Sequence, residues 1–182
     1  MVYLLDPVKP LFPQLKREIV KEIEREKPAY LIIGASTPDI AEMFVFPELK
    51  TVWVLNPEAD DYTTEEFAEL RKSLAEKEIT VLKGKHLIES FYHSSSRSYR
   101  TLFPAEVMSA TLADLPRSVK HCLENAVLTV DKQIVPSGSL VISVAGENDI
   151  PGTAVLLEPR PSKNMIDSRI VRIICYPYER DF

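Results

Sequence analysis

The sequence is poor in glycine, cysteine and long apolar runs, and each shortage excludes a class of function. Its 182 residues include only five glycines, at Gly34, Gly84, Gly138, Gly146 and Gly152. Walker loops and three-glycine dinucleotide fingerprints need several glycines within a few residues, so neither motif is intact. No apolar run approaches the roughly 20 residues that span a bilayer, and no basic segment followed by an apolar stretch opens the chain. These features predict a cytoplasmic protein without a membrane partner.

Cysteine and histidine are too scarce for the common metal sites. Cys122 and Cys175 cannot supply a four-ligand zinc site or a disulfide framework, and their apolar surroundings predict inert buried thiols. The three histidines, His86, His93 and His121, lack the close pairing of a His-x-x-x-His motif. We therefore expect no metal site and assign no catalytic residue on these grounds.

The charge balance is acidic. A net charge of -5 and a pI near 5.3 argue against a nucleic-acid partner, because phosphate contacts along a duplex need clustered Lys and Arg. The 45% hydrophobic and 27% charged fractions are ordinary for a globular protein. A chain of 182 residues is most simply one domain, spanning residues 1–182.

The segment 30–39 combines an uninterrupted apolar run with a small, hydroxylated and acidic ending. This order predicts a buried parallel strand, a tight turn and a helix start, because Ser36, Thr37 and Asp39 are residue types that cap helix N-termini. Ligands of open α/β sheets bind outside the carboxyl ends of the strands. The sequence therefore predicts a ligand position at this turn.

Hydrophobic periodicity predicts an alternation of strands and helices along the chain. Apolar runs predict strands at 1–5, 30–33, 51–55, 79–82, 140–144, 153–157 and 169–176. Helices are predicted at 13–27, at 39–46, at 63–77 after a Thr63 and Glu66 capping box, at 104–113 and after Pro116. The strand–helix alternation predicts a largely parallel sheet, and the last strands, which lack a crossover helix, are expected to pair antiparallel. The fold class is α/β.

Two of the predicted helices have clear apolar faces. The helix over 13–27 is expected to bury Leu15, Ile19, Val20 and Ile23, and its charged residues, Glu22 among them, are expected to form a solvated face. The helix after Pro116 is expected to pack centrally through Val119, Cys122, Leu123, Ala126, Val127 and Val130. Both helices are therefore predicted to cover the sheet.

Between residues 83 and 103 the periodicity ends, and positive charge and hydroxyls converge. His86, Ser94, Ser96 and Arg97 stand out, because arginine and hydroxylated side chains are the usual partners of oxyanions. This composition indicates a phosphate-bearing ligand. A plain surface loop would have the same composition, so both interpretations stay open.

Residues 138–146, followed by Thr153, Ala154 and Val155, resemble the C-terminal domain of pyruvate kinase. The resemblance extends from about Tyr30 onward and is strongest to the stand-alone members of that family, in which this domain forms the whole chain. It implies a three-layer α/β/α domain whose sheet is parallel apart from its last strands. The pyruvate kinase active site belongs to other domains, so the resemblance does not imply kinase activity.

In pyruvate kinase this domain is regulatory, and some members bind a sugar bisphosphate where the first strand's turn meets the next helix. Residues 36–41 correspond to that turn, with Pro38 and Ile40 near positions where the family has a glycine and a second hydroxyl. The stand-alone members carry a similar Ser-x-Ser-Arg stretch, matched here by Ser94, Ser96 and Arg97, with His86 upstream. The resemblance therefore implies a phosphate site assembled from the turn and the later loop.

Three functions follow from these patterns. The first is a non-catalytic domain that binds a phosphate-bearing metabolite or a mononucleotide such as flavin mononucleotide. Its predicted ligand-binding residues are Ser36, Thr37, Asp39, His86, Ser94, Ser96 and Arg97. The second is a structural or regulatory subunit that acts through a homo-oligomer without a small ligand.

The third function is a serine hydrolase. Residues 34–38 partly imitate a nucleophile elbow, with Ser36 as the nucleophile. His86, His93 or His121 would then be the base. Pro38 stands in place of the elbow's second glycine. The sequence alone does not decide whether the protein catalyses a reaction.

Overall fold

The computed structural model describes residues 3–5, 11–55, 63–84, 116–147 and 150–177. The strands in these ranges are β1 (Tyr3–Leu5), β2 (Tyr30–Ala35), β3 (Lys50–Leu55), β4 (Ile79–Lys83), β5 (Val141–Glu147), β6 (Ile150–Glu158) and β7 (Arg169–Pro177). The helices are α1 (Leu11–Glu26), α2 (Pro38–Glu42), α3 (Thr64–Ala75) and α4 (Arg117–Asp131), and a 3-10 segment, Ser162–Asp167, precedes β7. The helix predicted at 104–113 lies outside the described residues.

The described strands form one mixed sheet of seven strands in the order β1-β7-β6-β5-β2-β3-β4. β2 pairs in parallel with β3 and β5, and β3 pairs in parallel with β4. β6 lies antiparallel between β5 and β7, and β1 returns parallel to β7 with Tyr3 opposite Cys175. The α/β class is confirmed, and so is the antiparallel pairing of the last strands.

Helices cover both faces of the sheet. Leu31 and Ile33 of β2 enter one hydrophobic core together with residues of α1, α2 and α3, whereas Ile32 enters the opposite core beneath α4. Successive strand residues point to opposite faces, so an uninterrupted apolar run is what a strand between two helical layers requires. The central packing helix was correctly predicted, and its buried apolar residues include Val119, Cys122, Leu123, Ala126, Val127 and Val130.

The prediction of a fully solvated charged face on α1 is wrong. Glu22 is only 4% exposed and Glu18 only 2%, whereas Val20, expected in the core, is 40% exposed. The buried residues of α1 follow one helical stripe, Leu15, Glu18, Ile19, Glu22 and Ile23. The stripe can include a carboxylate because Arg172 of β7 donates a hydrogen bond to Glu22. Burial of a charge requires such a partner.

The other described helices match their predictions closely but not at every end. At α3, Thr63 Oγ1 accepts from the Glu66 N–H at 3.3 Å and Glu66 Oε2 accepts from the Thr63 N–H at 2.8 Å, which confirms the capping box. These hydrogen bonds hold the pKa of Glu66 below its usual value. α2 ends at Glu42, earlier than predicted.

In the part of the chain described, no helix has the length and apolar character needed to cross a membrane.

Candidate functional site

The carboxyl ends of the parallel strands meet at one edge of the sheet. Ala35 at the end of β2 pairs with Leu55 at the end of β3, and Leu55 pairs with Lys83 at the end of β4. β5 runs parallel to β2 on its other side, so its end reaches the same edge. We call this region the carboxyl edge. It is where ligands bind in open α/β sheets.

The turn after β2 places three of the predicted site residues at the carboxyl edge. Ser36 is half-buried, whereas Thr37 and Asp39 are exposed. Thr37 precedes α2 but makes no side-chain capping hydrogen bond, contrary to the expectation that it caps the helix. Within the described residues the Ser36 hydroxyl also has no hydrogen-bond partner. Both hydroxyls are therefore available to a ligand.

The short α2 makes a small electrostatic contribution to this turn. It has only five residues, and Pro38 occupies its first turn. A helix dipole grows with the number of aligned peptide units, and a proline supplies no N–H. Anion binding at the turn would therefore depend on hydroxyl and amide side chains more than on the helix.

Trp53 fixes the end of β2 immediately before the turn. Its indole Nε1–H donates to the carbonyl oxygen of Ala35 at 2.9 Å, and the side chain is fully buried. A buried Trp commonly finds a partner for its N–H, and this one ties β3 to the residue that precedes Ser36. The position of Ser36 is thus set by the core.

Asn125 of α4 lies against Gly34 near the end of β2, and the sequence interpretation did not single it out. A Cβ added to Gly34 would lie 2.2 Å from Asn125 Nδ2 and 3.7 Å from the Cβ of Ala145, so a side chain at position 34 would displace this amide. Asn125 is half-buried, and its amide makes no hydrogen bond within the described residues. The available signal was a glycine inside an apolar strand, which marks a close approach of another group.

Lys83, at the end of β4, contributes a positive charge to this edge. Its exposed Nζ lies 5.4 Å from the centre of the Phe67 ring. Gly84 follows, and its N–H donates to the Leu55 carbonyl oxygen at 3.1 Å. A Cβ at Gly84 would lie 2.8 Å from Val54 Cγ1, so the chain leaves β4 close against the core.

The remaining predicted ligand-binding residues, His86, Ser94, Ser96 and Arg97, lie outside the described residues, as does His93. Of the predicted ligand-binding residues, the described part of the chain contains Ser36, Thr37 and Asp39, which lie together in the turn after β2. Of the proposed hydrolase bases only His121 is described. It is half-buried on α4, and no hydrogen bond joins it to Ser36.

The two cysteines are buried and free, as predicted. Burial raises the pKa of the Cys122 thiol well above its usual range and raises the pKa of Cys175 to about 12. Reactive cysteines need thiolate character, so neither thiol is suited to act as a nucleophile. Among the described ranges, no group of three or more His, Cys, Asp or Glu side chains could hold a metal ion.

The chain was also compared with known proteins. No protein-family model matches it.

Proposed function

We propose that the protein is a non-catalytic domain that binds a phosphate-bearing small molecule at the carboxyl edge, with the phosphate against the turn at Ser36. One observation carries the proposal. The half-buried Ser36 hydroxyl has no partner within the described residues, and the preceding residue is fixed by Trp53. Solvent can reach a half-buried hydroxyl, so a ligand oxygen can replace its water without breaking a hydrogen bond within the protein.

The neighbouring groups suit different parts of such a ligand. Hydroxyls of Ser36 and Thr37 can donate to phosphate oxygens, and the Asn125 amide can both donate and accept. The Asp39 carboxylate accepts hydrogen bonds only, so it suits a hydroxyl of the sugar or ribityl part. Lys83 contributes positive charge to the edge. This arrangement supports a phosphorylated sugar or flavin mononucleotide as the ligand.

We also propose that the fold is that of the pyruvate kinase C-terminal domain. The helical layers on both faces and the antiparallel last strands support this assignment. In that family the domain is regulatory, which agrees with binding without catalysis. Hydrolysis by Ser36 is the alternative, because a nucleophilic serine requires a base and His86, His93 or His121 would have to serve as one; of these, only His121 is among the described residues.

Calorimetric titration of the full chain tests the binding proposal. Flavin mononucleotide and fructose 1,6-bisphosphate would be compared with riboflavin and fructose, which lack the phosphate. We expect binding that depends on the phosphate and that weakens by about one to two decades in Ser36→Ala, the loss of one hydrogen bond to a charged group. Ser73→Ala is the matched control, because Ser73 is exposed on α3. Equal affinities for phosphorylated and unphosphorylated forms would refute the proposal.

The sequence further predicts that Arg97 binds the phosphate. Arg97→Lys keeps the charge but loses the forked geometry, so affinity should fall while folding is preserved. An Arg97→Lys protein with unchanged affinity would remove that residue from the site without affecting the result for Ser36.

Labelling with a fluorophosphonate probe separates binding from hydrolysis. We expect no adduct at Ser36, and an adduct there would replace the binding proposal with a hydrolase. The homo-oligomer stays a prediction, and light scattering at micromolar concentration would reveal it. A monomer would exclude the subunit alternative that depends on self-association.

A further inference from the structure

A polar cleft lies near the start of β5, at the opposite ends of the strands from the carboxyl edge. It has a volume of about 410 Å³ and is lined by Ser137, Arg160, Pro161, Asn164 and Asp167. These residues come from the turn after α4, the end of β6 and the 3-10 segment before β7. Because β6 runs antiparallel to β5, its end lies beside the start of β5. The volume is within the range of small-molecule sites.

One hydrogen bond between main-chain groups and two from main-chain to side-chain groups join the segments that form this cleft. The Gly138 N–H donates to the Pro159 carbonyl oxygen at 2.8 Å, and the Arg160 N–H donates to Ser168 Oγ at 2.9 Å. The Ser162 N–H donates to Asp131 Oδ1 at 2.8 Å, which joins the 3-10 segment to the end of α4. A cleft whose walls are fixed in advance loses less entropy when it binds a ligand.

The Arg160 guanidinium occupies the space where a side chain at Gly138 would begin. A Cβ added at Gly138 would lie 2.6 Å from Nη1, 3.0 Å from Cζ and 3.2 Å from Nη2. Gly138 also has a positive φ of 78°, a conformation that favours glycine. The conformation of the turn therefore favours glycine, and a side chain at this position would displace the guanidinium.

The guanidinium of Arg160 has no acceptor within the described residues. The half-buried side chain makes no ion pair and no hydrogen bond there. Asp167, on the same cleft, accepts a hydrogen bond from Asn164 Nδ2 at 3.3 Å but makes no ion pair with Arg160. One cleft therefore presents a cation and an anion that do not neutralise each other.

We infer that this cleft binds the zwitterionic head of a free α-amino acid, its carboxylate on Arg160 and its ammonium on Asp167. Guanidinium binds a carboxylate through two parallel hydrogen bonds, and an ammonium group has three donors for carboxylate and hydroxyl oxygens. Ser137 and Asn164 supply further polar contacts, and Pro161 offers an apolar surface to the amino-acid side chain. A phosphate dianion would pair with Arg160 but leave Asp167 without a cationic partner, whereas a zwitterion pairs with both charges. This site does not depend on the carboxyl-edge proposal.

Calorimetric titration of the full chain with glycine, L-alanine, L-serine, L-proline and L-glutamine tests the inference. For the tightest binder, the amide removes the carboxylate charge and the N-acetyl derivative removes the ammonium. We expect each derivative to bind at least about tenfold more weakly, since each loses a charge-assisted contact. Inorganic phosphate should bind more weakly than the amino acid.

Two variants and two controls place the binding in the cleft. Arg160→Lys should weaken binding of the tightest amino acid by about tenfold, because an ammonium cannot make the forked contact, and Asp167→Asn should weaken it similarly. Lys163→Gln changes an exposed charge in the same segment that does not line the cleft, and it should bind normally. Ser73→Ala, at an exposed position of α3, should also bind normally.

The ligand series does not depend on any variant folding correctly, so it can refute the inference by itself. No binding of any of the five amino acids at millimolar concentration would overturn the inference. Equal affinity for the N-acetyl derivative or the amide would also overturn it, and so would phosphate binding more tightly than every amino acid.

Discussion

Replacing Trp53 by phenylalanine tests whether the indole hydrogen bond positions the end of β2. Trp53 is fully buried, and its Nε1–H donates to the Ala35 carbonyl oxygen at 2.9 Å. Phenylalanine keeps an aromatic ring in the core but has no donor. The Ala35 carbonyl oxygen would lose this partner in a site where its own residue is only 1% exposed.

The expected loss has two parts. Removing one partner of a buried hydrogen bond costs about 1–3 kcal/mol. The smaller ring leaves about 40 Å³ unfilled, and at about 24 cal/mol per Å³ this space costs about 1 kcal/mol. The free energy of unfolding should therefore fall by about 2–4 kcal/mol.

Urea denaturation followed by far-UV circular dichroism measures this loss. Fluorescence is unsuitable, because Trp53 is the only tryptophan in the chain. The matched control is Ile33→Val, since Ile33 is fully buried and pairs with Trp53 across β2 and β3. That change removes one methylene and no hydrogen bond, and it should cost about 0.5–1.5 kcal/mol. If Trp53→Phe costs no more than Ile33→Val, the hydrogen bond does not stabilise the strand end.

Three further predictions concern the core. Val141→Asp buries an unpaired carboxylate at a fully buried position of β5 and should cost several kcal/mol, so a near-native melting temperature would contradict the strand assignment. Arg172→Met leaves the Glu22 carboxylate with Arg25 alone and should cost about 3 kcal/mol, part of which Glu22→Gln should restore in a double-mutant cycle measured by urea denaturation. Burial raises the pKa of the Cys175 thiol to about 12 in the folded state, whereas the thiol of the unfolded chain has its ordinary pKa of 9.0. Between these two values the unfolded state releases the proton and the folded state keeps it, so the melting temperature should fall as the pH rises from 9.0 towards 12. A melting temperature that is constant or rises over this interval would contradict the burial of that thiol.

The strands were predictable because their pattern is local. β2 and β3 are apolar runs bounded by turn-forming residues, and a strand covered on both faces requires such a run. β6 and β7 follow without a long crossover, which indicated their antiparallel pairing. By contrast, the three residues of β1 are too few to indicate that they pair with β7 at the far edge of the sheet.

Features that depend on distant partners could not be predicted in the same way. The burial of Glu22 depends on Arg172, 150 residues further along the chain. Helical periodicity alone places a glutamate on the solvated side, because it contains no information about an arginine on another element. In the candidate site, the strand-to-turn pattern located Ser36. Asn125 comes from a helix on one face of the sheet, and the signal for it in the sequence was Gly34, a glycine inside an apolar strand.

The position of α1 has a consequence for the order in which the chain can fold during its synthesis. The ribosome makes α1 early, yet the helix packs against β6 and β7, which are made much later. Until those strands emerge, Leu15 and Ile19 lack the surface that buries them, and closing such a long loop is slow. A nascent chain that stalls before β7 would therefore expose an apolar helix face, which favours aggregation and chaperone binding at that stage of translation.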